Sequence, residues 1–257
     1  HITEAARADL TAAGWSWLDR RGHLFLRAPG VMIDRDVGPL PRPNTGTTSE
    51  PVAGASGIAV AYAILLDPAK PLPVRASRHA LGFSPAAISN ARAALRDAGL
   101  LERDGLPVVS ELFWALADVW KPERAWLVNK PKPGDTHTNI RDLEQSGWCL
   151  TGTAAAVEWG APVVAVDPIV DLYVPGPVMV TIAQREYAAA RGPADATASI
   201  AVAPASLVVN RRLPPRRKGR WPLAHPLAVA LDLAQDRARG REVLEDWTPP
   251  REFRRVW

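Results

Sequence analysis

The chain has 257 residues, 47% of them hydrophobic and 23% charged, which excludes wholesale disorder and leaves room for one long domain or two ordinary ones. Its best apolar run, Gly57 to Leu66, is about half of the roughly 18 residues that a membrane helix needs, so no helical membrane span is expected. The net charge of +4 is uneven: residues 201–257 hold 12 Lys/Arg against 6 Asp/Glu, net +6, leaving −2 for residues 1–200. Basic character concentrated in this way points to a polyanionic partner more than a uniformly high isoelectric point would.

The start, His1-Ile2-Thr3-Glu4, has neither an initiator Met nor a basic-then-apolar signal pattern and reads as a trimmed or tagged end. The one cysteine, Cys149, cannot form an internal disulfide, and its apolar neighbours Trp148 and Leu150 favour a small buried hydrophobe over a reactive thiol. No Cys/His cluster has metal-ligand spacing. The expectation is a cytoplasmic protein with no cofactor and no metal.

Pro, Gly, Ser, Thr and Asn crowd together from Pro41 to Gly57 and again from Asn129 to Gly147, marking two linkers. The domains expected are a small N-terminal α/β segment at 1–44, a helical domain at 56–125 and an α/β domain at 147–257. In the first, a helix from Thr3 to Ala13 precedes two aromatic-rich runs joined at Asp19-Arg20-Arg21-Gly22, a plausible hairpin. Forty residues rarely hold a core alone, so Trp15, Trp17, Leu24 and Leu26 are expected to pack on a neighbour. Stacking of the aromatics near Arg20 and Arg21 on single-stranded bases is the alternative.

In the second domain Ile58 to Leu66 predicts an apolar helix closed by Asp67-Pro68. A second helix runs from Val74 to Leu81 and stops at Gly82. Ser84-Pro85 then supplies an N-cap and a proline at the first helical position, opening a helix from Ala86 to Ala98 that ends at Gly99. Its face of Ile88, Ala91 or Arg92, Leu95 and Ala98 is expected to point inward. Ala86, Ser89, Asn90, Ala93 and Arg96 point out. The apolar stretches either side of Asp104-Gly105 predict a hairpin, and a helix from Ser110 to Trp120 closes the unit.

That order of elements, with the phrase from Leu81 to Glu102, resembles the winged helix-turn-helix of MarR-like and related bacterial regulators over about 65 residues. The resemblance implies a recognition helix in the major groove and a wing on the backbone. The residues expected to touch DNA are Arg75, Arg78, Ser84, Ser89, Asn90, Arg92, Arg96 and Arg103. Some winged helices serve only as protein-binding modules, but polar donors on the outward face favour DNA over protein.

In the third domain strands and helices alternate: a strand and small-residue helix from Trp148, a strand at Val170 to Pro175, a helix near Val178 to Arg191, a strand at Ala198 to Ala203, and helices after Trp221 and at Gly240 to Trp247. The fold class expected is α+β. Leu150-Thr151-Gly152-Thr153-Ala154-Ala155 with Gly160, Leu172-Tyr173-Val174-Pro175, His225-Pro226-Leu227, Leu231-Asp232-Leu233 and Gly240-Arg241-Glu242 resemble AbiEi-type antitoxins, patchily over about 100 residues. That resemblance implies a winged helix joined to a nucleotidyltransferase-like domain, repression of the protein's own operon, and a cognate toxin or other protein as a second partner beside double-stranded DNA.

An active nucleotidyltransferase needs a phosphate-binding turn and two carboxylates reaching one magnesium ion. Gly152-Thr153 could mimic the turn, but Asp167 and Asp171 lie four residues apart, roughly 13 Å along a strand. No catalytic residue is therefore assigned. The five histidines are scattered singly, and His225, before Pro226 at a helix start, reads as a capping or packing residue. The run Arg211 to Arg220 holds six positive charges in ten residues, with two prolines and a glycine that make it a loop. It is either mobile solvated surface or an arm in which Arg216, Arg217 and Lys218 contact phosphates.

Three readings follow. The first is a winged-helix transcriptional regulator that binds duplex DNA, of the autoregulating, antitoxin-like kind. The second is an enzyme acting on nucleotides or nucleic acid through the C-terminal domain. The third is a scaffold whose winged helix binds protein.

Overall fold

A computed structural model describes residues 4–19, 23–36, 50–135, 137–164, 169–236 and 239–257. Arg20, Arg21 and Gly22 of the expected hairpin connection, most of the expected Pro41 to Gly57 linker, and Asp167 lie outside them. The fold is mixed α+β and divides into two compact units, residues 1–49 and 50–257.

The first unit is one helix, α1 (Glu4–Ala12), and an antiparallel sheet of β1 (Trp17–Asp19), β2 (His23–Ala28) and β3 (Val31–Asp36) in that order. Trp17 makes contacts inside the unit. Its ring stacks on His23 and Phe25 at 5.3 and 5.8 Å, and its indole donates to Thr11 Oγ1 at 2.9 Å. Phe25, paired with Trp17 in register, is buried. The strand β3 escapes the sequence reading, although Pro29-Gly30 with Gly30 at φ +75° marks the turn that leads into it.

In the second unit α2 (Gly54–Leu66) is apolar on every side and is accordingly buried along most of its length. It begins four residues before the expected Ile58. Around it pack α3 (Val74–Leu81), α4 (Pro85–Asp97) and α5 (Val109–Val119). α3 stops at Gly82, whose φ of +73° lets its N–H return to the Arg78 carbonyl. α4 starts where Ser84 Oγ accepts from Ala87 N at 3.2 Å, with Pro85 next in line, and it buries Ile88, Ala91 and Leu95.

Between α4 and α5 the chain makes the expected hairpin. Leu101 bridges to Pro107, Glu102 N donates to Leu106 O at 2.8 Å, and the Asp104 carboxylate accepts from Leu106 N at 3.0 Å. Gly105 sits at φ +86°, and a Cβ there would come within 2.9 Å of Arg92 Nη2. The hairpin thus folds against the side chain of Arg92.

The remainder is built on a sheet in the order β4 (Arg124–Leu127), β7 (Ala198–Val202), β6 (Val170–Val174), β5 (Cys149–Thr151). The β6/β7 pair is parallel, joined through α7 (Pro177–Glu186), and the outer pairs are antiparallel. α6 (Gly152–Glu158), α8 (Ser206–Asn210), α9 (Pro226–Leu233) and α10 (Gly240–Asp246) complete the unit. α7 ends at Glu186 instead of Arg191, because the backbone turns at Ala188, φ +58°, and pairs with the chain around β4 through Val128 N to Ala188 O and Ala190 N to Trp126 O. Those bonds replace the last helical turn. Among the described residues no helix is long and apolar enough to cross a membrane.

Candidate nucleic-acid interface and the buried carboxylate network

The outward face of α4 carries Ala86, Ser89, Asn90, Ala93 and Arg96, all exposed. Its backbone is fixed by the Ser84 cap at one end and by Ile88, Ala91 and Leu95 in the core. Small alanines let that face approach another surface closely, while Ser89, Asn90 and Arg96 offer hydrogen-bonding groups. Arg75 and Arg78 are exposed on α3, and Arg103 is exposed on the hairpin. The Ser84 oxygen is engaged as acceptor by the helix start. Arg92 was offered both as an inward position and as a DNA contact. It is half-buried against Gly105, so its guanidinium lies at the junction of α4 and the hairpin.

The basic run, expected as a loop that is either mobile solvated surface or a phosphate-contacting arm, is anchored at its base. Leu213 and Leu223 exchange two backbone hydrogen bonds of 2.8 Å, closing the loop into a hairpin base. The prolines at 214 and 215 remove donors only above that base. Arg212 is 4% exposed, and its guanidinium donates to the carbonyls of Asn139, Asp142 and Gln145 at 2.7, 2.6 and 2.6 Å and of Trp148 at 3.3 Å. It is therefore withdrawn from any phosphate. Arg216, Arg217 and Lys218 are exposed, but Arg216 lies 4.5 Å over the Trp159 ring and 3.8 Å from Glu252. The Arg216 contacts thus lie in the sheet-bearing half.

The sheet face holds a polar cluster that sequence reasoning missed. Register places Thr151, Asp171 and Ser199 side by side across β5, β6 and β7. Asp232, from α9, is 4% exposed in its side chain. It accepts from Trp120 Nε1 at 2.9 Å and Tyr173 Oη at 2.5 Å on one oxygen, and from Thr151 Oγ1 and Arg124 Nη2, the latter at 3.4 Å, on the other. Arg124 also reaches Asp171 at 3.6 Å and Ser199 at 3.0 Å, and Ser199 donates to Asp171. Burial works against the Arg124 cation, yet Asp232, Tyr173 and Asp171 together raise its pKa. Burial likewise raises the Asp171 carboxyl despite the opposing pull of Arg124 and Ser199.

This geometry bears on the phosphate-turn idea. Gly152 has φ +61°, and a Cβ there would run into the Asp171 carboxylate. The glycine makes room for Asp171. The second carboxylate near Asp171 is Asp232, sixty-one positions along, with the Arg124 guanidinium between them. The cluster is an ion-pair network drawn from four strands, β4 to β7, together with α9 and the end of α5. Its signal in the sequence was the polar alternation Thr151, Asp171, Ser199 within otherwise apolar strands.

His225 caps α9: its Nδ1 accepts from Leu227 N at 3.1 Å, and its ring meets Phe253 edge-on. Burial, then Arg211, lowers its pKa to about 4. Cys149 is buried, and burial pushes its thiol up to about 12. Compared with family models, curated proteins and solved structures, the chain gives no match.

Proposed function

We propose that the protein is a winged helix-turn-helix regulator that binds double-stranded DNA, with α4 entering the major groove and the 101–107 hairpin acting as the wing. The observation that carries this reading is the exposed α4 face, capped at Ser84 and offering Ser89, Asn90 and Arg96 between small alanines. A major groove about 12 Å wide admits a helix of this kind, Asn pairs bidentately with adenine, and Arg with guanine. Arg75, Arg78 and Arg103, exposed on the flanking elements, are placed as phosphate contacts that set register without reading sequence. Repression of its own operon is the regulatory role this reading carries.

The test is fluorescence anisotropy with duplex DNA from the region upstream of the protein's own gene, against random duplex, at several salt concentrations. Tighter binding to the upstream fragment, weakening steeply with salt as counterions are released, supports the proposal. No binding at low salt overturns it.

A further inference from the structure

We propose that the cavity between the 130–133 segment and the 213–223 hairpin binds a small organic anion with an apolar body. The cavity measures about 600 Å³, in the range of small-molecule sites. Its floor is apolar: Leu150 of β5, Val157 of α6, and Trp221 and Leu223 of the hairpin, with Trp221 and Leu223 only 6% and 1% exposed. Among the described residues four cations line it, Lys130 and Lys132 from one wall and Arg216 and Arg220 from the other, and the lining acid is Glu158, with Glu252 3.8 Å from Arg216.

Charge and shape together select the occupant. A neutral apolar molecule would fill the floor and leave an excess of positive charge around it. An inorganic anion would answer the charge and leave the floor wet. A DNA backbone is polar along its length and has nothing to place on Trp221 and Leu223. A small molecule with a carboxylate, sulfonate or phosphate head on an aromatic or aliphatic body satisfies both.

Both walls are held in place beforehand. On one side Lys132 N donates to Asp135 Oδ2 at 3.0 Å, and that same oxygen accepts from Tyr187 Oη at 2.6 Å. On the other the hairpin is closed at Leu213 and Leu223, and Arg216 rests over Trp159. Such preorganisation lowers the cost of ordering the site when a ligand arrives. The site uses nothing from α4, so it stands whether or not the protein binds DNA.

The experiment titrates the full chain with 1-anilinonaphthalene-8-sulfonate, and with N-phenyl-1-naphthylamine, which has the same rings and no sulfonate. The expected result is saturable binding of one anionic probe per chain, about tenfold or more tighter than the neutral analogue, a difference equal to one charge-assisted contact. The double variant Lys132→Glu/Arg220→Glu, made at exposed positions, loses that preference. Val157→Trp, which fills the cavity from the exposed side of α6, loses the saturable site. Competition with decanoate and with 1-naphthyl phosphate distinguishes an acyl carboxylate from an aryl phosphate, and displacement by either supports the proposal. Equal affinity for the neutral analogue, displacement by neither competitor, or an unchanged site in the charge-reversed variant with native circular dichroism overturns it.

Discussion

The indole of Trp120, at the end of α5, donates to the carboxylate of Asp232 in α9 across 112 positions of sequence, at 2.9 Å. The same Trp120 ring stacks on Tyr62 of α2 at 5.5 Å and meets Tyr173 of β6 edge-on at 6.4 Å. One side chain therefore joins the core of the helical half to the polar face of the sheet. The two halves share a single core as a result, and a change at Asp232 should reach both.

Asp232→Ala leaves Arg124 without one of its two carboxylates, takes the carboxylate acceptor from Tyr173 and Thr151, and leaves Trp120 only the Tyr173 hydroxyl at 3.1 Å. Removing one partner of a buried pair costs about 3 to 5 kcal/mol. Urea unfolding should show that loss as one cooperative transition at a lower midpoint, followed by circular dichroism and tryptophan fluorescence alike. A loss under about 1 kcal/mol, the scale of an exposed ion pair, would mean that the network adds little to the fold.

On α4, Asn90→Ala and Arg96→Ala are expected to weaken binding to the upstream site more than to random duplex, since both are exposed on the helix face. Each lost base contact should cut discrimination by about 1 to 3 kcal/mol. Arg92→Ala should act differently, because Arg92 lies against Gly105 and its loss loosens the hairpin's seat. Anisotropy with both DNAs separates the cases. Equal losses on specific and random duplex for Asn90→Ala would place that residue off the bases.

Much of the helical half was legible because its signals are local. Ser84-Pro85 starts α4, Gly82 and Gly99 end helices, and Asp104-Gly105 turns the hairpin, each through a conformational preference of one or two residues. What stayed hidden depends on partners far away in sequence. Arg124-Ala125-Trp126-Leu127 is a strand because Ala198 to Ala201 lies beside it, and nothing in its four residues announces that. Asp171 was weighed against Asp167, its neighbour in sequence, when its electrostatic surroundings come from Arg124 and Asp232. Arg212 was counted as one of six loop charges, since only the fold could bring the carbonyls of 139–148 to it.

Arg212 gives a direct measure of that difference. Arg212→Leu keeps the apolar stem and removes all donors to the carbonyls of Asn139, Asp142, Gln145 and Trp148. A hydrogen bond to a charged group contributes roughly 1.5 to 3 kcal/mol, and a stability loss of about 3 kcal/mol is expected. Hydrogen exchange should rise in residues 139–148 more than in α4. Exchange unchanged in 139–148 would contradict the assigned role.

His225 sets a pH dependence of known sign. Burial, then Arg211, lowers its pKa from 6.5 to about 4, so the unfolded chain takes up a proton at a pH where the folded chain does not. Stability from this group is fully present above about pH 6.5, falls as the pH drops, and is lost by about pH 4, a change of about 3 kcal/mol by linkage. Protonation also removes the Nδ1 acceptor that Leu227 N uses, so the start of α9 weakens in the same window. Asp171 runs the other way. Burial raises its carboxyl, so the folded chain gains its proton first and this group's contribution rises as pH falls. Denaturant unfolding of the wild type and of His225→Asn, which keeps a capping oxygen and does not titrate, separates the two. The wild type should lose more stability than the variant between pH 6.5 and 4, and parallel curves would show that His225 is not held neutral by the fold.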